Sequence, residues 1–457
     1  MPQLRDLQEE ALNPLRERWV HGDPPGSGKT PMGLTWLRRH GARYSLVVCP
    51  SSVVSHWERL SHDWFPEAMP IPVHSGSSPK KRKDAQELLM CSTRAVFITT
   101  YALFRQDVDF TSNFNWDAVI FDEAHRLKNR ATLLHKAAAK VAHRAKLVDL
   151  STGSVSMGDA DEIWSFLHLM DPRKNRSFWR WVDEKFVVEN TTFHGRLARP
   201  IMRIVKPKDG AIEEIRDELA PWLVQRSEAV MLPHVAPPVE NVYTVDLSPT
   251  ERKAYDAMKK HSWTRFEESG EVVSAPLPIA RDVRLRQMAS DWGDLGGCGS
   301  GARIGAVVEL IEDMQGKSVV AFTSFKSTAS ALKDALKKAG VASVTFTGDD
   351  DVEARDKAVS SFRSGWSQVL IGTYGALAEG VDGLQDVSHH VILVDMDWSP
   401  EIERQAIRRL VRDGQELQVI VHRFVVADTI DQDILQVQER KRVVAETVLG
   451  TGVQDAD

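Results

Sequence analysis

The sequence predicts an α/β protein built from two parallel-sheet lobes in tandem, with helical protrusions between them. Two sets of short, β-branched apolar runs alternate with helical patterns, which is typical of parallel sheets with crossover helices. The two sets are separated by a region of different composition, rich first in aromatic residues and then in proline. A continuous single sheet would not be interrupted in this way, so we expect two separate lobes.

Each set of strand candidates follows the pattern of a buried parallel strand. In the first half of the chain they are Ser45–Cys49, Ala95–Thr99, Ala118–Phe121 and Lys146–Leu150. In the second half they are Ser318–Phe322, Ser343–Phe346, Gln368–Ile371, His390–Val394 and Val419–Phe424. The N-terminal lobe is predicted to span residues 1–228 and the C-terminal lobe residues 245–440, followed by a polar tail at 441–457.

The region between the strand sets predicts protrusions and a linker. Helical periodicity with many aromatic residues predicts a helical protrusion at about 162–205, and renewed helical periodicity predicts a helical insertion at about 248–300. Residues 229–244 include the proline-rich run Met231–Val239, which cannot lie inside a helix, and we expect an extended linker there.

Composition excludes several classes of protein. The net charge of −6 over 457 residues means that any binding of nucleic acid depends on local basic surfaces. The three cysteines have no metal-like spacing and indicate a reduced, cytoplasmic protein without a disulfide framework. The sequence contains neither a secretion signal nor an apolar run long enough for a membrane span.

The segment His21–Thr30 (HGDPPGSGKT) has the pattern of a phosphate-binding loop before a helix. Glycines allow successive backbone N–H groups to face phosphate oxygens, and the helix start adds partial positive charge. Lys29 is positioned for the β- and γ-phosphates, and the Thr30 hydroxyl for Mg²⁺. Asp23 departs from the strict pattern, which has glycine at that position. The residues predicted to contact ATP here are Gly26, Ser27, Gly28, Lys29 and Thr30.

A strand candidate runs into the acidic segment Asp122-Glu123-Ala124-His125. Ligands of open α/β sheets bind at the carboxyl ends of the strands, which is where these carboxylates lie. We expect Asp122 to hold Mg²⁺ through its water shell and Glu123 to orient and deprotonate the attacking water. Together with the phosphate loop, this segment predicts an ATPase site.

From about residue 4 to residue 435 the chain resembles the Swi/Snf-type ATPases of helicase superfamily two, which have RecA-like lobes, contain a DEAH box and translocate on double-stranded DNA. The resemblance depends on LRDLQ at 4–8, LVVCPSSVVSHWERL at 46–60, VIFDEAHRLKN at 119–129 and QAIRRLVRDGQ at 405–415. Two motifs depart from the family pattern. Val155 replaces a proline in the third motif, Thr152–Val155, and Leu377-Ala378 replaces a glycine pair in the fifth motif, Gly372–Leu384.

The resemblance also implies roles for individual residues. Gln8 is expected to bind adenine, and Arg409 and Arg412 to act as arginine fingers. The residues implied to couple ATP to DNA are His125, Thr152, Ser154, Glu379, Gly380 and Gln405, and those implied to contact DNA are Ser52, Thr100 and Thr373. From periodicity alone, Glu401–Arg412 is predicted to be helical, with Arg408 and Arg412 one turn apart. A solvated basic helix, or one paired locally with Glu401 and Glu403, is the alternative.

The leading functional hypothesis is a DNA-dependent ATPase that translocates along duplex DNA and remodels protein–DNA complexes, using ATP and Mg²⁺. We expect a monomer whose partners are double-stranded DNA and DNA-bound proteins. Two alternatives remain open: a strand-separating helicase acting on DNA or RNA, and a nucleic-acid-binding scaffold with a decayed ATPase. The compact motor, without an appended targeting module, suggests a bacterial or bacteriophage protein in the cytoplasm, associated with the nucleoid.

Overall fold

The computed structural model describes residues 2–153, 155, 160–191, 201–265, 272–275, 277–297, 299–377, 381 and 383–449. Three predicted coupling residues, Ser154, Glu379 and Gly380, lie outside these described residues. The chain divides into two compact units. Met1–Met231 and Lys441–Asp457 form the first unit, and Leu232–Arg440 form the second.

The first unit contains a large sheet, a small hairpin and helices. Its strands are β1 Arg18–His21, β2 Tyr44–Cys49, β3 Met69–Val73, β4 Ala95–Thr100, β5 Ala118–Asp122, β6 Leu147–Ser151, β7 Phe186–Thr191, β8 Ile201–Pro207 and β9 Leu223–Val224. Its helices are α1 Asp6–Ala11, α2 Lys29–Arg39, α3 Val54–Trp64, α4 Pro79–Cys91, α5 Tyr101–Gln106, α6 Val108–Asn113, α7 Leu133–Arg144, α8 Ile163–Met170, α9 Phe178–Lys185, α10 Ala211–Leu219 and α11 Glu228–Met231.

The large sheet has the strand order β3-β4-β2-β5-β6-β1-β9, and its paired strands are parallel. All four strands predicted for the first half are present, and β4 is buried along its whole length. The structure adds β1, β3 and β9. Strand β3 lies at the sheet edge, where Pro70 and Pro72 are tolerated because an edge strand leaves some N–H positions unpaired.

The predicted protrusion is helical only in part. Helices α8 and α9 are followed by β7 and β8, which pair as an antiparallel hairpin. The prediction of a helical protrusion is therefore wrong over Phe186–Thr191 and over residues 201–205, which lie in these two strands. The run FVVEN has the β-branched composition of a strand, and the pairing with β8 decides its conformation.

The second unit has the same kind of core. Its strands are β10 Val239–Val245, β11 Trp263–Arg265, β12 Val272–Ser274, β13 Val319–Thr323, β14 Ser343–Phe346, β15 Val369–Thr373, β16 His390–Leu393 and β17 Ile420–Val426. Its helices are α12 Pro249–His261, α13 Pro278–Ser290, α14 Gly301–Asp313, α15 Lys326–Lys338, α16 Val352–Arg363, α17 Tyr374–Leu377, α18 Pro400–Ile407 and α19 Ile430–Leu449, whose residues from Lys441 group with the first unit.

The second sheet has the strand order β10-β17-β16-β13-β15-β14, again with parallel pairs. All five strands predicted for the second half are present. Strand β10 pairs with β17 over seven residues, so residues 239–244 of the predicted linker belong to this sheet. The predicted helical insertion contains α12 and α13 but also the antiparallel pair β11–β12. Two parallel sheets in tandem confirm the predicted fold class.

Each of the two sheets has a tyrosine hydroxyl that bonds to the backbone carbonyl of an aspartate. Tyr101 follows β4, and its hydroxyl donates to the backbone carbonyl of Asp122 at 2.7 Å. Tyr374 follows β15, and its hydroxyl donates to the carbonyl of Asp395 at 2.7 Å. Both tyrosines therefore stabilise an aspartate-bearing loop at the carboxyl end of a parallel strand. Among the described residues, no helix is both long and apolar enough to cross a membrane.

Candidate functional site

The predicted phosphate loop joins β1 to α2 in the first unit. Gly26 and Gly28 have φ angles of 79° and 84°, which favour glycine. A side chain at Gly28 would also collide with the amide nitrogen of Gln8. Gly28 caps the N-terminus of α2, and Lys29 and Thr30 form its first turn. The loop therefore presents the start of an eleven-residue helix, which favours phosphate binding.

Gln8 lies against this loop, as expected of a residue that binds the base next to the phosphates. Its Nε2 donates to the Ser27 carbonyl at 2.8 Å, and its Oε1 accepts from the Arg5 backbone N–H at 2.9 Å. The amide nitrogen has a second N–H to donate, and the amide oxygen can accept a second hydrogen bond. One donor and one acceptor are what an amide uses to bind adenine at N6 and N7.

The Lys29 side chain is turned toward its own loop. Its Nζ donates to the carbonyls of Asp23 and Pro24, at 2.8 and 3.1 Å. The ammonium group is therefore held above the loop, within reach of an anion bound there. A bound phosphate offers stronger, charge-assisted acceptors than these two carbonyls.

Asp23, the departure from the strict loop pattern, is fully buried. Its carboxylate accepts hydrogen bonds from Arg226 and lies 3.2 Å from Nε2 of His21. Although burial opposes ionisation, these bonds from His21 and Arg226 hold the pKa of Asp23 below its usual range. Sequence reasoning missed Arg226, because its partner is 203 residues away along the chain.

Asp122 ends β5 at the same edge of the sheet as the phosphate loop. Its Oδ2 accepts from Nε1 of Trp57 at 2.8 Å, and its Oδ1 accepts from the Glu123 backbone N–H at 3.0 Å. Burial and the neighbouring Glu123 carboxylate raise the pKa of Asp122, and the bond from Trp57 opposes that rise. Hard carboxylate and hydroxyl oxygens at Asp122 and Thr30 fit the ligand chemistry of Mg²⁺.

Glu123 adopts a left-handed backbone conformation, with φ 54° and ψ 50°. Such a conformation costs about 1–3 kcal/mol in a residue with a side chain and is concentrated at functional sites. The Glu123 Oε2 atom lies 3.2 Å from Nδ1 of His125. That same nitrogen lies 3.3 Å from Oγ1 of Thr152, at the end of β6. The structure therefore joins the acidic motif to the third motif through His125.

Asp149 is a buried carboxyl group next to this site that sequence reasoning missed. It lies on β6, and its Oδ1 accepts from the Ser151 hydroxyl at 2.9 Å. Burial raises the pKa of Asp149 to about 8, and the Asp122 charge adds to that rise. Burial therefore favours the protonated form of Asp149 in the folded protein. The run KLVDL marks it only as one polar residue in an apolar strand.

We expect Asp149→Asn to stabilise the first unit increasingly as pH rises. An unfolded aspartate loses its proton above a pKa of 3.8, while folded Asp149 keeps its proton up to about pH 8. Between these values the wild-type folded state loses stability by at most about 1.4 kcal/mol per pH unit. Asparagine keeps the shape and does not titrate. Urea unfolding of both proteins from pH 5 to pH 8 measures the difference, and a difference independent of pH would contradict this assignment.

The predicted DNA contacts of the first unit follow neighbouring strands. Ser52 is exposed in a short 3₁₀ turn after β2. Thr100 ends β4, where its Oγ1 caps α5 by accepting from the Leu103 N–H at 3.3 Å. Thr100 is almost fully buried, so its hydroxyl has a structural role there. In the second unit, Thr373 ends β15 and is 9% exposed.

The predicted arginine fingers lie in the second unit, beyond the end of a helix. Helix α18 ends at Ile407, and Arg409 and Arg412 follow in tight turns. The prediction of a continuous helix over Glu401–Arg412, with Arg408 and Arg412 one turn apart, is therefore wrong. Backbone bonds from Arg409 to Ala406 and from Leu410 to Ile407 close three-residue turns, which the helical periodicity did not indicate.

Local pairing, the alternative weighed for this basic segment, applies to Arg408. Its NH1 lies 3.7 Å from the buried Glu401 carboxylate, which also accepts from Arg404 at 3.1 Å. Arg409, Arg412 and Gln405 are half-buried. The start of α18 is held by Glu403, which accepts from Arg423 of β17 at 2.6 Å. Such a buried pair orients the helix that leads into Arg409 and Arg412.

The chain matches two known protein domains. Residues 20–291, more than half of the chain, match the SNF2-related domain. This chain belongs to the SNF2-related family. Residues 302–414 match the helicase conserved C-terminal domain. The matches confirm the predicted Swi/Snf type within helicase superfamily two, and with it the predicted enzyme class, a nucleic-acid-dependent ATP hydrolase.

Relatives of this SNF2-related chain match it along almost its whole length. Over 98% of the chain it is 24% identical to Protein CHROMATIN REMODELING 5 of Arabidopsis thaliana and 23% identical to Chromodomain-helicase-DNA-binding protein 1 of Gallus gallus. The matched part is 27% of each relative, so the chain spans less than half of their length. The solved SWI2/SNF2 ATPase core of Sulfolobus solfataricus in complex with dsDNA is 20% identical, covers 99% of this chain and 94% of its own, and has a TM-score of 0.43.

Proposed function

We propose that this SNF2-related chain is a DNA-dependent ATPase that couples hydrolysis to translocation along double-stranded DNA and remodels protein–DNA complexes. The observation that carries the proposal is the convergence of three motifs at one edge of the first sheet. The phosphate loop follows β1, Asp122 ends β5, and Thr152 follows β6. These three strands are neighbours in the order β5-β6-β1, and His125 bridges the last two motifs.

In the proposed mechanism, backbone N–H groups from Gly26 to Thr30 and the Lys29 ammonium bind the phosphates of ATP. Thr30 and Asp122 would hold Mg²⁺, which supplies charge neutralisation of the phosphate oxygens when bound. Glu123 orients the attacking water and accepts its proton. Arg409 and Arg412 of the second unit would stabilise charge on the transferred phosphoryl group.

His125 is proposed to couple the presence or loss of the γ-phosphate to the conformation of the third motif. Its imidazole nitrogen lies near both the Glu123 carboxylate and the Thr152 hydroxyl. The Thr152 backbone N–H also donates to the His21 carbonyl at 2.9 Å, directly before the phosphate loop. A change at Glu123 therefore has a short route to Thr152, through the 3.2 Å contact with His125 and the hydrogen bond between His125 and Thr152. Ser154, Glu379, Gly380 and Gln405 are further coupling residues in the proposal.

Double-stranded DNA is the proposed activating partner, bound through backbone and hydroxyl groups. Ser52 and Thr373 are the proposed hydroxyl contacts, while the buried Thr100 hydroxyl caps α5 and could contribute only through a neighbouring backbone group. Names of relatives that refer to chromatin remodelling and to DNA binding support this choice. Contacts to phosphates predict binding that weakens steeply with salt. DNA-bound proteins as further partners, a monomeric state, and a cytoplasmic bacterial or bacteriophage setting remain predictions from the sequence.

An ATPase assay without nucleic acid, with single-stranded DNA, with duplex DNA and with RNA tests the proposal. Wild-type turnover should rise most with duplex DNA. Lys29→Ala should lower that turnover by at least about a hundredfold, because it removes a charged donor from the phosphates. Lys146→Ala, which removes an exposed lysine paired with Glu17, should leave turnover unchanged.

Other outcomes of this experiment identify the competing functions. Strand separation of a labelled partial duplex would favour the helicase. Nucleic-acid binding without turnover in any arm would favour the scaffold with a decayed ATPase. Full turnover in Lys29→Ala would overturn the assigned site.

A further inference from the structure

A buried ion-pair network connects the phosphate loop to the end of the first unit's sheet. Both carboxylate oxygens of Asp23 are occupied. Oδ1 accepts from the Arg226 backbone N–H at 2.9 Å and from its Nε at 3.1 Å, while Oδ2 accepts from the Arg226 guanidinium. His21 contacts Oδ2 as well. Four contacts to one buried carboxylate leave Asp23, and the loop that carries it, very little freedom.

The same guanidinium reaches a second part of the site. Another nitrogen of Arg226 donates to the backbone carbonyl of Leu7, in α1. Leu7 directly precedes Gln8, whose amide bonds to Ser27 of the phosphate loop. Arg226 thus connects the helix that carries Gln8 with the loop that carries Lys29. Only a planar guanidinium with several fixed donors can make these bonds together.

The Arg226 backbone is itself fixed by the sheet. Strand β9 ends at Val224 and pairs with β1 directly before the phosphate loop. The Gly22 N–H donates to the Val224 carbonyl at 2.8 Å, which sets the distance between the loop and the chain around Arg226. The backbone carbonyl of Asp23 accepts a hydrogen bond from the Lys29 ammonium group. A displacement of Asp23 would therefore move the acceptor that orients the lysine.

We propose that Arg226 is a positioning residue for nucleotide binding, which holds the phosphate loop and the Gln8 helix in one fixed arrangement through Asp23 and Leu7. This inference rests on the proposed ATPase function and adds to it a residue outside the predicted motifs. Arg226 acts through the loop and takes no part in the chemical step, for which Asp122 and Glu123 are proposed. Its loss should therefore weaken ATP binding much more than it slows hydrolysis of bound ATP.

Arg226→Lys tests this, because lysine keeps the charge beside Asp23 but cannot also bond to Leu7. The measurements are KM and kcat for Mg·ATP with saturating duplex DNA, and the Kd of a fluorescent ATP analogue. KM and Kd should rise by about tenfold or more, since small misplacements in a binding site are costly, while kcat stays within about threefold. Unchanged KM and Kd in this variant would overturn the proposal.

Arg18→Lys is the matched control. Arg18 on β1 donates to four backbone carbonyls, those of Leu169, Met170, Ala142 and Ala145, and none of them belongs to the loop. It should lower the melting temperature without changing KM for ATP. An equal rise of KM in both variants would mean that Arg226 has only a structural role. A wild-type protein that fails to bind the analogue would instead reject the proposed function itself.

Asp23→Asn supplies a second route if Arg226→Lys folds poorly. Asparagine keeps the shape of the side chain and removes its charge. It therefore weakens the bonds between residue 23 and Arg226 through a change in the acceptor, where Arg226→Lys changes the donor. KM should rise in the same direction, and the double variant should raise KM no further than the more severe single variant. Independent, additive increases would show that the two residues do not act through one contact.

Discussion

Replacing Glu123 by glutamine is expected to lower ATP hydrolysis by about a thousandfold while ATP still binds. The amide cannot accept the proton of the attacking water, but it keeps the size of the side chain. The phosphate loop, Lys29 and Asp122 are untouched by the change, so the affinity for ATP should stay within a few-fold of wild type. Single-turnover hydrolysis with saturating duplex DNA, together with nucleotide binding, measures both quantities.

Glu17→Gln is a suitable control for this variant. It removes the same charge from an exposed position, where Glu17 pairs with Lys146 at 2.8 Å. Turnover in the control should equal that of wild type. If Glu123→Gln kept more than about a tenth of wild-type turnover, a general base would not be assigned at this position, because general-base catalysis contributes about a hundredfold or more.

Arg412→Ala is expected to lower DNA-stimulated hydrolysis by about a thousandfold or more if Arg412 is an arginine finger. A finger acts on charge that develops in the transition state, so ATP binding in the ground state should change much less. Because Arg412 belongs to the second unit and the phosphate loop to the first, the result tests whether both units are needed for hydrolysis.

Arg404→Ala is the matched control in the same segment. Arg404 lies on α18 and pairs with Glu401 at 3.1 Å, and its side chain is 45% exposed. Its removal leaves Glu401 beside Arg408 and should change turnover little, as for most exposed ion pairs. Normal turnover in Arg412→Ala would contradict a mechanism that needs both units. It would not contradict the ATP site assigned to the first unit.

The strands that sequence patterns predicted are those with continuous apolar runs. β2, β4, β13 and β15 are buried in central positions of their sheets, so hydrophobicity alone marks them. Three of the missed strands, β3, β9 and β10, lie at sheet edges, although the edge strand β14 was predicted. β3 carries two prolines, and β10 is largely exposed and follows a proline-rich run. Their conformation depends on a neighbouring strand that is distant in sequence, which local patterns do not reveal.

The residues of the candidate site also differ in how far the sequence alone predicts them. Lys29, Thr30, Asp122 and Glu123 were predictable because each belongs to a short motif whose chemistry is complete within a few residues. His125 and Thr152 were implied by family resemblance, and the structure adds the nitrogen-to-hydroxyl distance of 3.3 Å between them. The family resemblance implied that Arg412 belongs to the site. It did not indicate that α18 ends at Ile407, before this arginine.

By itself, the sequence determined two parallel-sheet lobes, a phosphate loop before α2 and an acidic strand end, because these depend on hydrophobic periodicity and on residues adjacent along the chain. Only the tertiary structure decided that Arg226 bonds to both Asp23 and Leu7, and that burial raises the pKa of Asp149 beside Asp122. Ion pairing and burial arise from groups brought together by folding, so their partners and their pKa values are properties of the folded chain and not of any segment of it.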